Sequence, residues 1–412
     1  MSSWPTKRIG DFARTASGGT PKRGNPAFFG GAIPWVKSGE LNDGVVFETE
    51  ETITSDGLSR SSAKVFPKGT LCIALYGATV GKLGVLGMDA ATNQAVCGIF
   101  LPPEVDTKYL FHFLAANKQT LVNLGKGGAQ PNISQEIIRN VNVPIAPFDD
   151  QRRIVAEIEE RLSRLEAGVA ALKRAQANLK RYRASVLSAA ILGELDGSGG
   201  TDGWTQSEIQ ALAAKEPNSI TDGPFGSKLK TAHYTSTGPR VIRLQNIGDG
   251  VFVDEKAHIS EDHFASLSKH RVFPGDLVIA GLGETLPRAC LIPDDIGPAI
   301  VKADCIRFKA GGSVLPKYLM YALNADKTRR ATKERMHGVG RPRLNLGEIK
   351  SIIVPVPPLA RQREIVEEVD RRLSVVEELE TQVTADFIHA ERLKQSILQQ
   401  AFSATSSSMS HN

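Results

Sequence analysis

Between Lys327 and Arg343 the chain sets seven cations, Lys327, Arg329, Arg330, Lys333, Arg335, Arg341 and Arg343, against one acid, Glu334. Arg and Lys donate hydrogen bonds to phosphate oxygens and to the acceptor edge of guanine, and Asn and Gln match the mixed edge of adenine. A cationic run is also what a solvated helix face looks like, so this run alone leaves both readings open. Donors of the same kind recur in loops rich in Gly and Pro. Lys22, Arg23, Lys37 and Ser38, then Lys126, Gln130 and Asn132, fall in two such loops, and Lys228, Lys230, Arg243, Gln245 and Asn246 in a later one. The net charge of +5 is too small to establish a polyanionic partner; the clustering says more.

Other constellations fall short of catalysis. Gly77 to Lys82 resembles a phosphate loop, but it has three residues between the glycines instead of four, and Leu83 stands where a magnesium-binding Ser or Thr is needed. A turn between strands is expected there, from which Lys82, and Arg288 in a related turn, face a ligand as donors. Glu348 and Lys350 resemble part of a nuclease site, but the repeat equivalent has Ile137 in the glutamate's place, so no nuclease is expected. His258 and His263 do not share a helix face and have no Cys or acidic partner at ligand spacing, so no metal is expected. No Asp/Asn-Pro-Pro-Tyr/Phe run, as expected of an adenine methyltransferase, is present. Cys72, Cys97, Cys290 and Cys305 sit in apolar, strand-like runs and read as buried reduced thiols.

The donors need elements to hold them, and the strongest pattern in the chain is helical. Ile154, Ile158, Leu162, Leu165, Val169, Leu172, Leu179, Val186 and Ala190 keep one narrow stripe in steps of three and four. Pro147, Asp149 and Asp150 open this helix and Gly193 closes it. At 1.5 Å per residue it is a rod of about 60 Å. A stripe so narrow needs a partner helix, and the chain supplies one. "VPIAPFDDQRRIVAEIEERLS", Val143 to Ser163, recurs without a gap as "VPVPPLARQREIVEEVDRRLS", Val354 to Ser374. The second stripe runs through Ile365, Val369, Leu373, Val376, Val383, Phe387, Leu393, Ile397 and Ala401. The short link from Gly193 to Gly203 favours antiparallel pairing. So does charge, because Lys173, Arg174, Lys180, Arg181 and Arg183 would then face the acid-rich start of the second helix. Apolar positions beyond the seam, at Ala167, Ala171, Tyr182, Leu187, Leu379 and Ile388, invite further helices.

The repeat extends to the globular parts. Trp4 and Ile9 match Trp204 and Ile209, "VFPKGTLCIALYG" from Val65 matches "VFPGDLVIAGLG" from Val272, and short helices centre on Tyr109 and Tyr318. The expected fold is therefore mixed α/β (α+β), a pseudo-twofold tandem repeat of two similar domains joined by two long antiparallel coiled-coil helices. Its parts are a first domain at 1–146, a long helix at 147–192, a linker at 193–203, a second domain at 204–357, a second long helix at 358–402 and a disordered Ser-rich tail at 403–412. Where the repeats agree they are scaffold. They differ most at 20–41 against 221–247 and at 126–134 against 338–345, where ligand discrimination is expected. No run approaches eighteen apolar residues and the start lacks a signal-peptide pattern, so a cytoplasmic protein with no membrane contact is expected.

At this point a resemblance emerges. "SGGTPKRGNPAFFGGAIPWV" and "DGPFGSKLK", with the later "GPRVIRLQNI", resemble the openings of target recognition domains in specificity subunits of type I restriction-modification enzymes. The Pro-x-x-x-Gln helix starts at Gln151 and Gln362 resemble that family's spacer helices, and the likeness covers residues 4 to 402. It implies a non-catalytic subunit whose two domains each read one half of an asymmetric bipartite site in double-stranded DNA. The helices would set the gap and dock two adenine-N6 methyltransferase subunits in a four-helix arrangement. Restriction/translocase subunits would join in the full complex. No cofactor is expected in this chain, with S-adenosylmethionine, ATP and Mg on the partners. An interaction scaffold carrying two peptide-binding modules is the competing reading.

Overall fold

The computed structural model describes residues 4–125, 132–195, 200–336, 338 and 340–403. The chain divides into two compact units. One holds the residues up to Leu172 and those from Ala385 on; the other is Lys173–Thr384.

In the first unit a five-stranded sheet orders Arg14–Ser17, Val96–Phe100, Leu71–Ala74, Leu83–Leu86 and Gly44–Val46. A four-stranded sheet orders Thr52–Ile53, Phe29–Val36, Ala90–Thr92 and Val65–Phe66. Leu71–Ala74 is buried on both faces, as an unbroken apolar run requires. The helix Thr107–Ala116 starts on the Asp106 carboxylate, which accepts from the amides of Lys108 and Tyr109. The second unit repeats this plan. One sheet orders Ile220–Asp222, Cys305–Phe308, Leu277–Ala280 and Arg288–Leu291; the other orders His258–Ile259, Tyr234–Ile242, Ala299–Val301 and Arg271–Val272. In both units the long strand of the second sheet runs parallel to its partner, Trp35 against Ala91 and Val241 against Ile300.

The repeat register differs by one residue from the one its letters suggest. Phe66 pairs with Ala90 and Val272 with Ala299, and the left-handed turn glycines are Gly69 and Gly275. Phe66 therefore corresponds to Val272, not Phe273. Phe66 is 1% exposed and Phe273 53%.

The long helices span Phe148–Leu192 and Leu359–Ser403. Their pairing is antiparallel in each unit. In the first, Ile154, Val155 and Ile158 share a core with Leu398, and Phe402 lies edge-on to Tyr109 and Phe113. In the second, Val186, Leu187 and Ala190 share a core with Ile365, Val369 and Leu373. Leu187 is thus core and does not widen the exposed stripe, whereas Tyr182, Val375 and Leu379 remain about half exposed. Arg183 reaches Glu377 (3.6 Å) and Glu380 (3.3 Å). Among the described residues it is the only one of the five helix cations expected at the seam that forms an ion pair with the second helix.

Each unit fixes its globular part to its helix in the same way. Gln151 is fully buried; its amide donates to the carbonyls of Ala146 (2.8 Å) and Glu104 (3.0 Å) and accepts from the Asp106 N–H (2.8 Å). Gln362 likewise donates to Pro357 (2.8 Å) and Ser313 (3.0 Å) and accepts from Leu315 (2.7 Å). The Tyr109 and Tyr318 hydroxyls donate to Pro144 and Pro355, each at 2.7 Å, and Lys108–Glu159 and Lys317–Asp370 bridge at 2.7 Å. The tail expected at 403–412 lies outside the described residues except for Ser403, which ends the helix.

Candidate nucleic-acid interface

In the second unit the strand Tyr234–Ile242 runs into the single 3-10 turn Leu244–Asn246. Asn246 shapes that turn. Its side-chain oxygen accepts from the Arg243 N–H (2.8 Å), and its NH2 donates to Val253 and Glu255 carbonyls, both at 2.8 Å. It is fully buried, so its amide is occupied inside the domain and is not presented to a ligand. Gln245, at the tip, is exposed. Arg243 lies 3.7 Å from Glu255.

Other loops converge on this turn. Arg288 donates to the Leu244 carbonyl (3.2 Å). Leu282 bridges Arg343, Gly283 N–H donates to Pro342 (3.1 Å), and Leu344 N–H donates to Gly281 (2.8 Å). Arg343 pairs with Asp304 (2.7 Å) and lies over the Phe225 ring (5.7 Å). Around a cleft of ≈470 Å³ stand Thr231, Tyr234, Arg243, Gln245, Lys302 and Asp304. Lys228 and Lys230 are exposed nearby in sequence, and His263 faces the Lys228 carbonyl (2.9 Å) while His258 faces that of Gly238 (2.6 Å).

The cationic run divides. Arg329 is occupied: it grips Asp249 (2.5 and 3.2 Å), the Pro287 carbonyl (3.0 Å) and Asn324 (3.1 Å). Arg335 donates to Ser351 (3.0 Å). The helix Asp326–Lys333 buries Thr328 and Thr332, which turns Lys327, Arg330 and Lys333 outward. These three and Arg341 are exposed and have no partner among the described residues.

The first unit builds the same turn with different side chains. Lys37 N–H donates to Glu40 (2.6 Å) across the turn Ser38–Glu40. The Lys37 ammonium meets Glu50 (2.8 Å) and Glu51 (3.0 Å), which raise its pKa. Arg23 pairs with Glu51 (2.6 Å) and lies over Phe29 and Trp35; Arg23 and then Lys37 hold the Glu51 carboxyl below its usual range. Asn132 bridges Tyr76, as Arg343 bridges Leu282. Lys82 and Ser38 are half-buried and Lys22 is exposed. Lys126 and Gln130 lie outside the described residues.

The phosphate-loop look-alike is a turn, with Val80 N–H donating to Gly77 (3.2 Å) and Lys82 N–H to Thr79 (2.9 Å). Glu348 caps a helix by accepting from the Asn345 N–H (2.6 Å). Among the described residues no group of three or more His, Cys, Asp or Glu is placed to hold a metal ion, and no helix is long and apolar enough to cross a membrane. Burial pushes the Cys97 and Cys290 thiols up to about 12. Sequence reading missed Thr231, Tyr234 and Lys302. Lys302 lines the cleft because a parallel strand pairing brings Val301 beside Ile242; Tyr234 starts the strand that ends at Ile242, and Thr231 lies in the turn just before it.

A family model described as the type I restriction modification DNA specificity domain matches residues 1–181 and 245–385. The chain is 23% identical over 396 residues to the specificity subunit of the type I restriction enzyme EcoKI of Escherichia coli K12, covering 90% of this chain and 82% of that one. It is 19% identical over 374 residues to the MjaVIII specificity subunit of Methanocaldococcus jannaschii, covering 88% and 84%. A solved chain from work on complex assembly and conformational transition of the type I R-M system superposes with TM-score 0.74, at 18% identity, over 97% of both chains. The HsdS subunit of Thermoanaerobacter tengcongensis superposes with TM-score 0.55, also at 18% identity, over 97% of this chain and 96% of that one.

Proposed function

The chain belongs to the type I restriction-modification DNA specificity family, and we propose that it reads an asymmetric bipartite site in double-stranded DNA, one half-site to each unit. The observation that carries this reading is the convergence, in each unit, of the same loops at the end of the same parallel strand pair. The loops are built alike and furnished differently: Arg243, Leu244 and Gln245 in one, Lys37, Ser38 and Gly39 in the other. Shared construction with different donors is what reading two different short sequences requires.

The reading and phosphate-contacting set in this proposal is the exposed Lys22 and Asn132 with the half-buried Ser38 and Lys82 in the first unit, and the exposed Lys228, Lys230, Gln245, Lys327, Arg330, Lys333 and Arg341 in the second. Arg23, Lys37, Asn246, Arg329 and Arg335 hold the loops that carry them. The long helices set the separation of the half-sites and offer Tyr182, Val375, Leu379 and Ile388 to helices of two adenine-N6 methyltransferase subunits. Methyl donor, ATP and magnesium belong to those subunits and to restriction/translocase subunits, and this chain performs no catalysis. A complex of the full chain with its methyltransferase should bind duplex DNA with an affinity that falls steeply as salt rises, because several phosphates shed their counterions. Binding of peptides in place of DNA, with little salt dependence, would sink this proposal.

A further inference from the structure

The cleft of the second unit contains donors without acceptors. The Tyr234 hydroxyl and the Arg243 Nε are shut off from solvent and have no hydrogen-bond partner among the described residues. An unmet buried donor destabilises the fold, and a ligand that supplied acceptors would relieve that cost. The lining is rich in donors: Thr231, Tyr234, Arg243, Gln245 and Lys302. Its one carboxylate, Asp304, is already paired with Arg343 (2.7 Å). The Lys302 ammonium lies 5.6 Å from the Tyr234 ring and has no ion-pair partner among the described residues, so its charge is available.

Shape then selects among the acceptors that DNA offers. Base edges lie at the floor of a groove roughly 8.5 Å deep in the major groove, so a group that reads them must protrude from the protein. Three of these donors are recessed: Tyr234, Arg243 and Lys302 are half-buried, the Arg243 side chain only 22% exposed, while Thr231 and Gln245 stand exposed at the rim. What protrudes from a duplex is the sugar–phosphate strand, and a recess of ≈470 Å³ lined by cations and hydroxyls is complementary to it. We propose that this cleft seats one backbone phosphodiester of the second half-site, with Lys302 and Arg243 as its cationic contacts and Tyr234 and Thr231 as hydroxyl donors, and that it sets register without reading a base. The proposal rests on the DNA-reading function above. In the first unit Lys37, at the Arg243 position, is held more closely, by Glu50 (2.8 Å) and Glu51 (3.0 Å), than Arg243 is by its one carboxylate neighbour Glu255 (3.7 Å), so its charge is matched there.

The test uses the full chain in complex with its methyltransferase subunits, one duplex carrying the mapped target and one of unrelated sequence. Lys302→Ala should weaken both duplexes by the same factor, about tenfold, and lower the slope of log affinity against log salt by about 0.9. The methylated motif should stay unchanged. Tyr234→Phe, which removes only the hydroxyl, should give a smaller uniform loss and keeps the test open should Arg243→Ala fail to fold. Replacing target phosphates one at a time by neutral methylphosphonates should reveal one linkage whose neutralisation weakens the wild-type complex and leaves the Lys302→Ala complex unaffected. Loss confined to the target duplex with a relaxed second block would overturn the proposal in favour of a base reader. Unchanged affinity in every variant would overturn it as well. A wild-type complex that binds neither duplex would defeat the DNA-reading function itself, before any variant is made.

Discussion

Gln151 and Gln362 should each carry a disproportionate share of the stability of their own unit. Gln151→Ala removes three hydrogen bonds at once: two donated to Ala146 and Glu104 and one accepted from Asp106. The bonds at Glu104 and Asp106 border solvent, and each is worth about 1 kcal/mol net. The Ala146 carbonyl is buried and would be left unmet, which costs about 1–2 kcal/mol more. The total, about 3–4 kcal/mol, is a large part of the 5–15 kcal/mol that stabilises a typical domain. Asp106 also caps the helix that carries Tyr109, so the loss should spread into Thr107–Ala116. Urea unfolding gives the magnitude, and hydrogen exchange gives the place. The amides of Asp106, Lys108 and Tyr109 should lose protection in Gln151→Ala, and that of Leu315 in Gln362→Ala. A loss below about 1 kcal/mol with unchanged protection at Asp106 would refute this account of how the globular parts are fixed to their helices.

Other outcomes follow from charge and burial. His112 is 6% exposed with Nδ1 unpartnered among the described residues, and burial pushes its pKa down from 6.5 to about 4. Only the unfolded chain takes up the proton between those values. The first unit should therefore lose up to about 3 kcal/mol as pH falls from 6.5 to 4; in His112→Gln that part of the acid sensitivity, read from unfolding midpoints, should vanish. Asp276 and Arg307 form a buried pair at 2.6 Å, so Asp276→Ala should cost about 3–5 kcal/mol in thermal or urea unfolding by stranding the guanidinium. Arg329 and Arg330 are adjacent but should behave oppositely. Arg330→Ala should leave unfolding unchanged and lower the salt slope of DNA binding by about 0.9, whereas Arg329→Ala should destabilise the second unit by about 2 kcal/mol.

The long helices were legible in the sequence because a heptad-like stripe is a local signal, and 45 residues of it leave little competition. Charge at the seam contributes less than the sequence suggests: exposed Lys173 and Lys180 stay in water, and among the described residues Arg183 alone of the five pairs across. Leu187 looked like surplus apolar surface because the sequence does not show that the second domain's core reaches up to that helix. The shared letters Val-Phe-Pro misled by one residue. Strand register is set by pairing partners and by the left-handed turns at Gly69 and Gly275, which local identity does not encode. Of the candidate donors, sequence supplied the loops but not their division of labour. Arg329 and Arg330 are both arginine; what separates them is that one side of a two-turn helix faces Asp249 and the other faces water. Lys302 was invisible for a related reason, since its neighbour Arg243 comes from a different strand.

The central claim is that two similar units read two different half-sites, and methylation mapping tests it most directly. The chain would be expressed with its cognate methyltransferase subunit in a host without other adenine methylation, and modified adenines would be located across the genome. The expected result is one motif of two short defined blocks flanking an unspecified gap, and replacing residues 1–146 by another recognition domain should change one block alone. A single contiguous motif, a change in both blocks after the exchange, or no adenine methylation by a co-purifying complex would contradict it.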